Sequence, residues 1–141
     1  MTFDGTGYGI AWAQETVVSD RPHVFFARLT AEGAPRGSRV QISSNPDDIG
    51  AWTTGVAWNG SEYFVVFEDQ RHVDGDLIVR RITSAGVPRT PEIFLFDDDI
   101  FSSHPSLVWG NNEWAVAWED NRYMHRDPWF RRIGRTECAA P

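Results

Sequence analysis

The sequence predicts an all-β protein, and three observations lead to this prediction. First, a block of about fifty residues recurs along the 141-residue chain. Second, each copy divides into short apolar segments separated by turn-forming residues, which is typical of successive antiparallel strands. Third, no segment keeps a 3.6-residue apolar period for about eleven residues without a glycine or proline, so we expect no helix.

The clearest repeat matches residues 58–82 to residues 109–133, which gives 25 aligned positions without a gap. A more divergent copy begins at Phe3 and carries two additional residues near positions 15–21. Insertions of this kind belong in loops between strands. The sequence therefore predicts three blade-like copies in one repeat domain, over residues 3–50, 51–103 and 104–137.

Four strands are expected in the second copy: Thr54–Trp58, Tyr63–Glu68, Leu77–Ile82 and Glu92–Phe96. Asn59-Gly60 is expected to form the first hairpin turn because both residues tolerate positive φ. Ser84-Ala85-Gly86 has the corresponding role before the fourth strand. The first copy lacks a convincing first strand and the third lacks a fourth, so we expect about ten strands, where three complete copies need twelve.

The second strand of each copy has a large apolar face and a small apolar face. In the first copy the large face carries Tyr8, Ile10 and Trp12, and the small face carries Gly9 and Ala11. We expect such a strand to be covered on both sides, as when the large face of one sheet packs on the small face of the next. This pattern predicts a β-propeller-like fold with two to three four-stranded antiparallel blades. Because propellers usually have four to eight blades, one chain would form an incomplete ring.

The repeated motif resembles a known family. Phe67-Glu68-Asp69-Gln70-Arg71 recurs as Trp118-Glu119-Asp120-Asn121-Arg122, whereas the first copy departs from it with Ala13-Gln14. The pattern resembles that of large secreted or cell-surface bacterial proteins that carry tandem Trp-Glu-Asp-x-Arg repeats and look like β-propellers. The resemblance implies a propeller and a secreted or cell-surface location, but it implies no reaction.

Charge and composition exclude several classes of partner. The net charge of −7 argues against binding to nucleic acid or to acidic lipid surfaces, which need clustered Lys and Arg. We expect no membrane span and no signal peptide, since the sequence contains no apolar run of about 18 residues and no basic segment leading into one. The single cysteine, Cys138, cannot form an intrachain disulfide but could pair with another chain.

The residues that bracket the hairpin between strands two and three are candidates for a ligand site. They are Glu68, Asp69, Arg71 and Asp76, with their copies Glu119, Asp120, Arg122 and Asp127, of which Asp69, Arg71, Asp76, Asp120, Arg122 and Asp127 are the predicted ligand-binding residues. A carboxylate–guanidinium pair suits sugar hydroxyls or an acidic ligand. The alternative is that each arginine bridges carboxylates to fix its hairpin, and repetition favours this structural role. Among the seven tryptophans, Trp52 and Trp129 are the better candidates for sugar stacking, because most of the others occupy regular repeat positions.

No catalytic residue and no metal ligand is assigned from the sequence. Calcium is the one cofactor considered, because Asp74-Gly75-Asp76 and Asp97-Asp98-Asp99 offer clustered oxygen ligands without the spacing of an EF-hand. The four histidines lack zinc-ligand spacing. Ser102-Ser103-His104 is interpreted as a polar loop that leads into the next strand.

These features favour a non-enzymatic β-propeller repeat module that binds carbohydrate or protein, or that serves as an extracellular scaffold. The alternative is a propeller-type glycoside hydrolase or sialidase-like enzyme, since paired carboxylates are abundant. The shortage of strands predicts that the chain forms a homo-oligomer or belongs to a longer propeller. Two copies would give six blades.

Overall fold

The computed structural model describes residues 1–71, 75–95 and 100–134. These residues form eleven β-strands and no helix, so the prediction of an all-β fold is confirmed. In chain order, the strands are β1 Thr2–Phe3, β2 Gly7–Thr16, β3 Ser19–Thr30, β4 Val40–Gln41, β5 Ala51–Trp58, β6 Glu62–Asp69, β7 Asp76–Thr83, β8 Ile93–Phe94, β9 Ser102–Gly110, β10 Glu113–Asp120 and β11 Asp127–Ile133. No helix in the described ranges is long and apolar enough to cross a membrane.

The strands form three antiparallel sheets, each of which takes its strands from one continuous part of the chain. Sheet 1 has the order β1-β2-β3-β4, sheet 2 the order β5-β6-β7-β8, and sheet 3 the order β11-β10-β9. Neighbours in sequence are therefore neighbours in space, as in a meander. Sheet 1 begins with β1, a strand that was not predicted from the sequence. This strand is short and makes only two residue pairs with β2, Thr2 with Gly9 and Phe3 with Tyr8.

Sheet 2 contains the four predicted strands, but β5 begins at Ala51, three residues before the predicted start at Thr54, and two further differences occur. The paired part of the fourth strand is only two residues long, and Phe96 lies outside the described residues. In the first hairpin, positive φ occurs at Gly60 and not at Asn59. The Asn59 side chain closes this turn instead, because its Oδ1 accepts bonds from the backbone N–H groups of Ser61 and Glu62.

Sheet 2 lies between sheets 1 and 3, and its central strand β6 is buried on both faces. Tyr63, Val65 and Phe67 pack in an apolar cluster with residues of sheet 1. Phe64 and Val66 pack in a second cluster with residues of sheet 3. Two-sided burial, as predicted for the second strand of a copy, is thus confirmed for β6.

The two outer sheets differ from that prediction, since each buries only one face of its second strand. In β10, Trp114, Val116 and Trp118 are buried against sheet 2, whereas Ala117 on the opposite face is exposed. In β2, Gly7 and Gly9 are buried, while Ile10 on the large face is half-buried. The expectation of two-sided cover is therefore wrong for β2 and β10, because no further described sheet lies beyond them.

A large side chain meets a glycine at the first contact between sheets, and two aromatic rings meet at the second. At the first contact the Tyr63 ring lies over Gly9, where a Cβ atom would be 2.5 Å from a ring carbon. The Tyr63 hydroxyl also donates a hydrogen bond to the Asp4 carboxylate of sheet 1. At the second contact the Phe64 and Trp114 rings stack with centroids 4.0 Å apart.

The Asp4 carboxylate is held in its charged form at this contact. Burial disfavours the charge, but hydrogen bonds from Tyr63, Thr6 and Gly7 outweigh it and lower the pKa of Asp4 to about 2. The same contact raises the pKa of the Tyr63 hydroxyl, first through burial and then through the hydrogen bond to Asp4. The phenol therefore remains a donor over the physiological pH range.

A Gly9→Ala substitution tests the contact between sheets 1 and 2. The added methyl group would overlap the buried Tyr63 ring, so we expect a loss of about 1–3 kcal/mol in the free energy of unfolding, measured with urea. Gly110→Ala is the matched control, because a Cβ atom there meets nothing within 4 Å. Equal effects of the two substitutions would contradict this packing.

Candidate functional site

The hairpins β6–β7 and β10–β11 each close on a pair of facing aspartates. Asp69 pairs with Asp76 across the first hairpin, and Asp120 pairs with Asp127 across the second. The fold thus brings together the two aspartates that were predicted to bracket each hairpin. We call the edge of sheets 2 and 3 formed by these strand ends the rim.

Arg71 connects three parts of the molecule at the rim. Its Nε lies 2.9 Å from Asp69 Oδ1, and its Nη2 lies 2.8 Å from Glu92 Oε2, just before β8. Its Nη1 donates to Ser44 Oγ of sheet 1 at 3.2 Å, and both the N–H and the hydroxyl of Ser44 donate to Glu92. Burial lowers the pKa of Arg71, but the bonds to Asp69 and Glu92 more than compensate and raise it. Arg71 therefore stays charged and joins sheet 2 to sheet 1.

Arg122 repeats the contact with its own hairpin but has a different second partner. Its Nη2 lies 2.6 Å from Asp120 Oδ2, and its backbone N–H donates to Asp120 Oδ1. Its guanidinium lies 3.8 Å from the centroid of the Trp129 ring. Burial raises the pKa of Asp120, but the bonds from Arg122 and Trp118 outweigh this and lower it. The carboxylate therefore remains ionised.

Arg71 thus bridges two carboxylates, as the structural alternative requires, whereas Arg122 contacts the Asp120 carboxylate and the Trp129 ring. Asp69, Asp76 and Asp120 are buried, and Asp127 is half-buried. Direct ligand binding by these residues stays a prediction.

The two tryptophans proposed for sugar stacking are half-buried. Trp52 pairs with Glu68 in the ladder, and its indole lies directly against Gly50. One face of Trp129 is covered by Arg122, and its buried Nε1 has no hydrogen-bond acceptor among the described residues. Stacking of a sugar on either ring stays a prediction.

A second polar group at the rim combines Glu68 and Glu119 of the repeated motif with His104 and Arg126, which were not predicted from the sequence to join them. His104 Nδ1 lies 3.7 Å from Glu119 Oε2, and Arg126 Nη1 lies 3.8 Å from the same oxygen. Burial raises the pKa of Glu68 in sheet 2, and the backbone N–H and the imidazole of His104, in sheet 3, are near enough to its carboxyl to offset part of that rise. We call Glu68, His104, Glu119 and Arg126 the rim cluster.

A β-bulge positions His104 in this cluster. Residues Ser102–His104 belong to β9, so the interpretation of this segment as a loop is wrong. The register shifts between Ala117 and Glu119 of the partner strand, and His104 has a φ of 54°. A bulge adds a residue to one strand and redirects its side chain, often beside a functional site. Sequence alone offers only Pro105 as a signal, since proline is confined to edge strands and bulges.

The rim cluster combines a buried carboxylate with exposed polar groups. Glu68 is 8% exposed, and burial raises its pKa, although His104 and Arg126 offset part of the increase. His104, Glu119 and Arg126 have exposed side chains. Tyr123, in the same β10–β11 connection as Arg126, is also exposed. The rim can therefore offer donors and acceptors from the cluster and an exposed aromatic ring from the β10–β11 connection.

The described residues contain no group of three or more His, Cys, Asp or Glu side chains placed to hold a metal ion. Asp74 and Asp97–Asp99, which motivated the calcium prediction, lie outside the described residues. The calcium site stays a prediction.

A shallow pocket of about 470 Å³ lies beside the turn between β7 and β8. Arg81, Arg89, Val87 and Ile93 contribute to its lining. Arg81 and Arg89 both form ion pairs with Glu62, at 2.8 and 3.2 Å. This pocket is at the end of sheet 2 opposite the rim, because Glu62 and Asp69 are the two ends of β6.

Comparisons with protein-family models, with curated proteins and with solved structures found no match for this chain.

Substitution of Arg71 tests its structural role. Arg71→Met leaves the carboxylate of Asp69, which is 1% exposed, without its counter-ion. Removing one partner of a buried pair costs about 3–5 kcal/mol, so we expect a loss of that order in urea unfolding. Arg132→Met is the control, because its ion pair with Glu113 is exposed and should contribute less than about 1 kcal/mol. A loss no larger than that of the control would show that Arg71 does not stabilise the rim.

Substitution of Glu68 tests whether the buried charge of this residue lowers the free energy of unfolding. Because the pKa of Glu68 is raised in the folded state, the ionised form destabilises the fold at neutral pH, and protonation relieves this cost as the pH falls. We expect Glu68→Gln to be more stable than the unmodified chain at pH 7. The difference in stability should shrink as the pH falls toward 4.5, the ordinary pKa of a glutamate. Thermal unfolding across this range measures the effect, with Glu119→Gln as the matched variant. A gain in stability that does not change with pH would contradict a raised pKa for Glu68.

Proposed function

We propose that this chain is a non-enzymatic β-propeller repeat module, with each of its three sheets acting as a blade. The support is the stack in which sheet 2 packs face to face on sheets 1 and 3, together with a polar rim that recurs from sheet 2 to sheet 3. The resemblance to secreted and cell-surface proteins with the same motif supports an extracellular role. A rigid stack of repeats provides a scaffold for a surface ligand.

The rim is the proposed binding surface, and carbohydrate is the ligand class that it fits best. The observation that carries this proposal is the exposed group formed by His104, Glu119 and Arg126, together with the exposed ring of Tyr123 in the same β10–β11 connection as Arg126. Sugar hydroxyls take both donors and acceptors, and a sugar ring packs on an aromatic face. The arginines of the hairpins position this group: Arg122 holds the β10–β11 connection, and Arg71 holds the adjacent one.

Glycoside hydrolysis is the second candidate, and one observation favours it. Glu68 has a pKa raised by burial and belongs to the same cluster as the exposed carboxylate of Glu119. Glycosidases pair a protonated carboxylic acid with an ionised carboxylate. Non-catalytic binding is preferred because the Glu-Asp-x-Arg motif is repeated, whereas a catalytic pair is needed once.

A glycan array tests the proposal, with any positive glycan then titrated by calorimetry. We expect binding that falls about tenfold or more in Tyr123→Ala and Glu119→Gln, because each removes one contact to the sugar. Glu113→Gln, at the far end of β10, is the control and should bind normally. An array without positive glycans would contradict the carbohydrate proposal. Hydrolysis of nitrophenyl glycosides that is abolished by Glu68→Gln would instead support the second candidate function, glycoside hydrolysis.

A further inference from the structure

The outer face of sheet 1 is an apolar surface that no other described sheet covers. Strand alternation and register place seven apolar residues on it: Phe3, Tyr8, Ile10, Trp12, Phe25, Ala27 and Leu29. Phe3 is 55% exposed, and most of the others are half-buried. Arg39 lies over part of Phe25, at 4.7 Å from the ring centroid. We call this surface the large end.

The same repeat positions are covered in sheet 2. The repeat aligns six residues of the large end with Trp58, Tyr63, Val65, Phe67, Ile78 and Ile82. Five of these six are fully buried in the cluster with sheet 1, and Trp58 packs against that cluster. A large face of this repeat is therefore covered, inside the chain, by the small face of another copy.

The outer face of sheet 3 is the matching small face. It carries Val108, Ala115, Ala117, Pro128 and Phe130. Val108 is 58% exposed and Phe130 is 63% exposed. Their equivalents in sheet 2 are all buried against sheet 3: Ala57, Phe64, Val66, Leu77 and Val79. We call this surface the small end.

The ion pairs at the border of the small end are also reproduced. Arg132 pairs with Glu113 on the outer side of sheet 3, at 3.4 Å. The equivalent pair on sheet 2, Arg81 with Glu62, flanks the face that sheet 3 covers. The small end thus has both the apolar and the charged groups of a face that accepts a neighbouring sheet.

We propose that the small end of one copy of this chain binds the large end of a second copy. Because the two surfaces differ, the interface is heterologous, and such interfaces close into rings when the rotation per subunit allows. Two copies bring six sheets, which lies within the usual range for propellers, and the ring covers both ends of each chain. This proposal rests on the propeller architecture proposed above, but it requires no ligand.

Sedimentation velocity of the chain from micromolar to hundreds of micromolar tests the proposal. We expect a dimer. Ile10→Arg at the large end and Ala117→Arg at the small end should each raise the dissociation constant about 100-fold or more, because a charge is buried without a partner. Val17→Arg, at a fully exposed turn position, is the control and should remain dimeric. Circular dichroism verifies that each variant is folded.

Mixing the two variants distinguishes a heterologous interface from a symmetric one. Ile10→Arg retains a normal small end, and Ala117→Arg retains a normal large end, so an equimolar mixture should form a one-to-one dimer through one intact interface. A folded unmodified chain that remains monomeric, a dimer insensitive to both substitutions, or a mixture that fails to associate would each overturn the proposal. The glycan array is independent of these outcomes, so failure of binding and failure of association are separable.

Discussion

The face-to-face packing of neighbouring sheets is the constraint on which the rest of the structure depends. Sheets pack closely when their side chains are complementary in shape, and the two internal contacts achieve this in different ways. Tyr63 lies over Gly9, and Phe64 stacks on Trp114. Sheet 2 is stabilised from both sides, and the distance between neighbouring sheets follows from these pairs. The polar groups of the rim come from adjacent sheets, so their spacing depends on the same packing.

Polar contacts at the two ends of the first interface add direction to this packing. Apolar contacts alone are nondirectional and would tolerate some sliding of one sheet over another. The Asp4–Tyr63 hydrogen bond fixes one end, and the Ser44–Glu92–Arg71 contacts fix the other. Both sets join a loop of sheet 1 to a buried group of sheet 2. Together they fix the relative orientation of the two sheets more firmly than either could alone.

The repeat in the sequence predicted the features that depend on local pattern and missed those that depend on contacts between copies. The strands β5, β6 and β7, and the two-sided burial of β6, follow from alternation and turn residues. The two-residue strand β1 leaves no pattern to detect. The position of His104 beside Glu68 depends on a bulge and on the distance between sheets, neither of which is encoded in one segment. Likewise, the partners of Arg71 include Ser44, 27 residues away in another copy.

Among the described residues, sheet 3 carries a proline in each of its two outer strands, Pro105 in β9 and Pro128 in β11. A proline offers no N–H group to an incoming strand, and an interrupted edge resists extension by backbone pairing. Growth of this sheet into a fibril-like ribbon is thereby disfavoured, although β10 is a strongly apolar strand. The outer face of sheet 3 can therefore remain exposed for binding, while the outer strands of the sheet remain poor templates for aggregation.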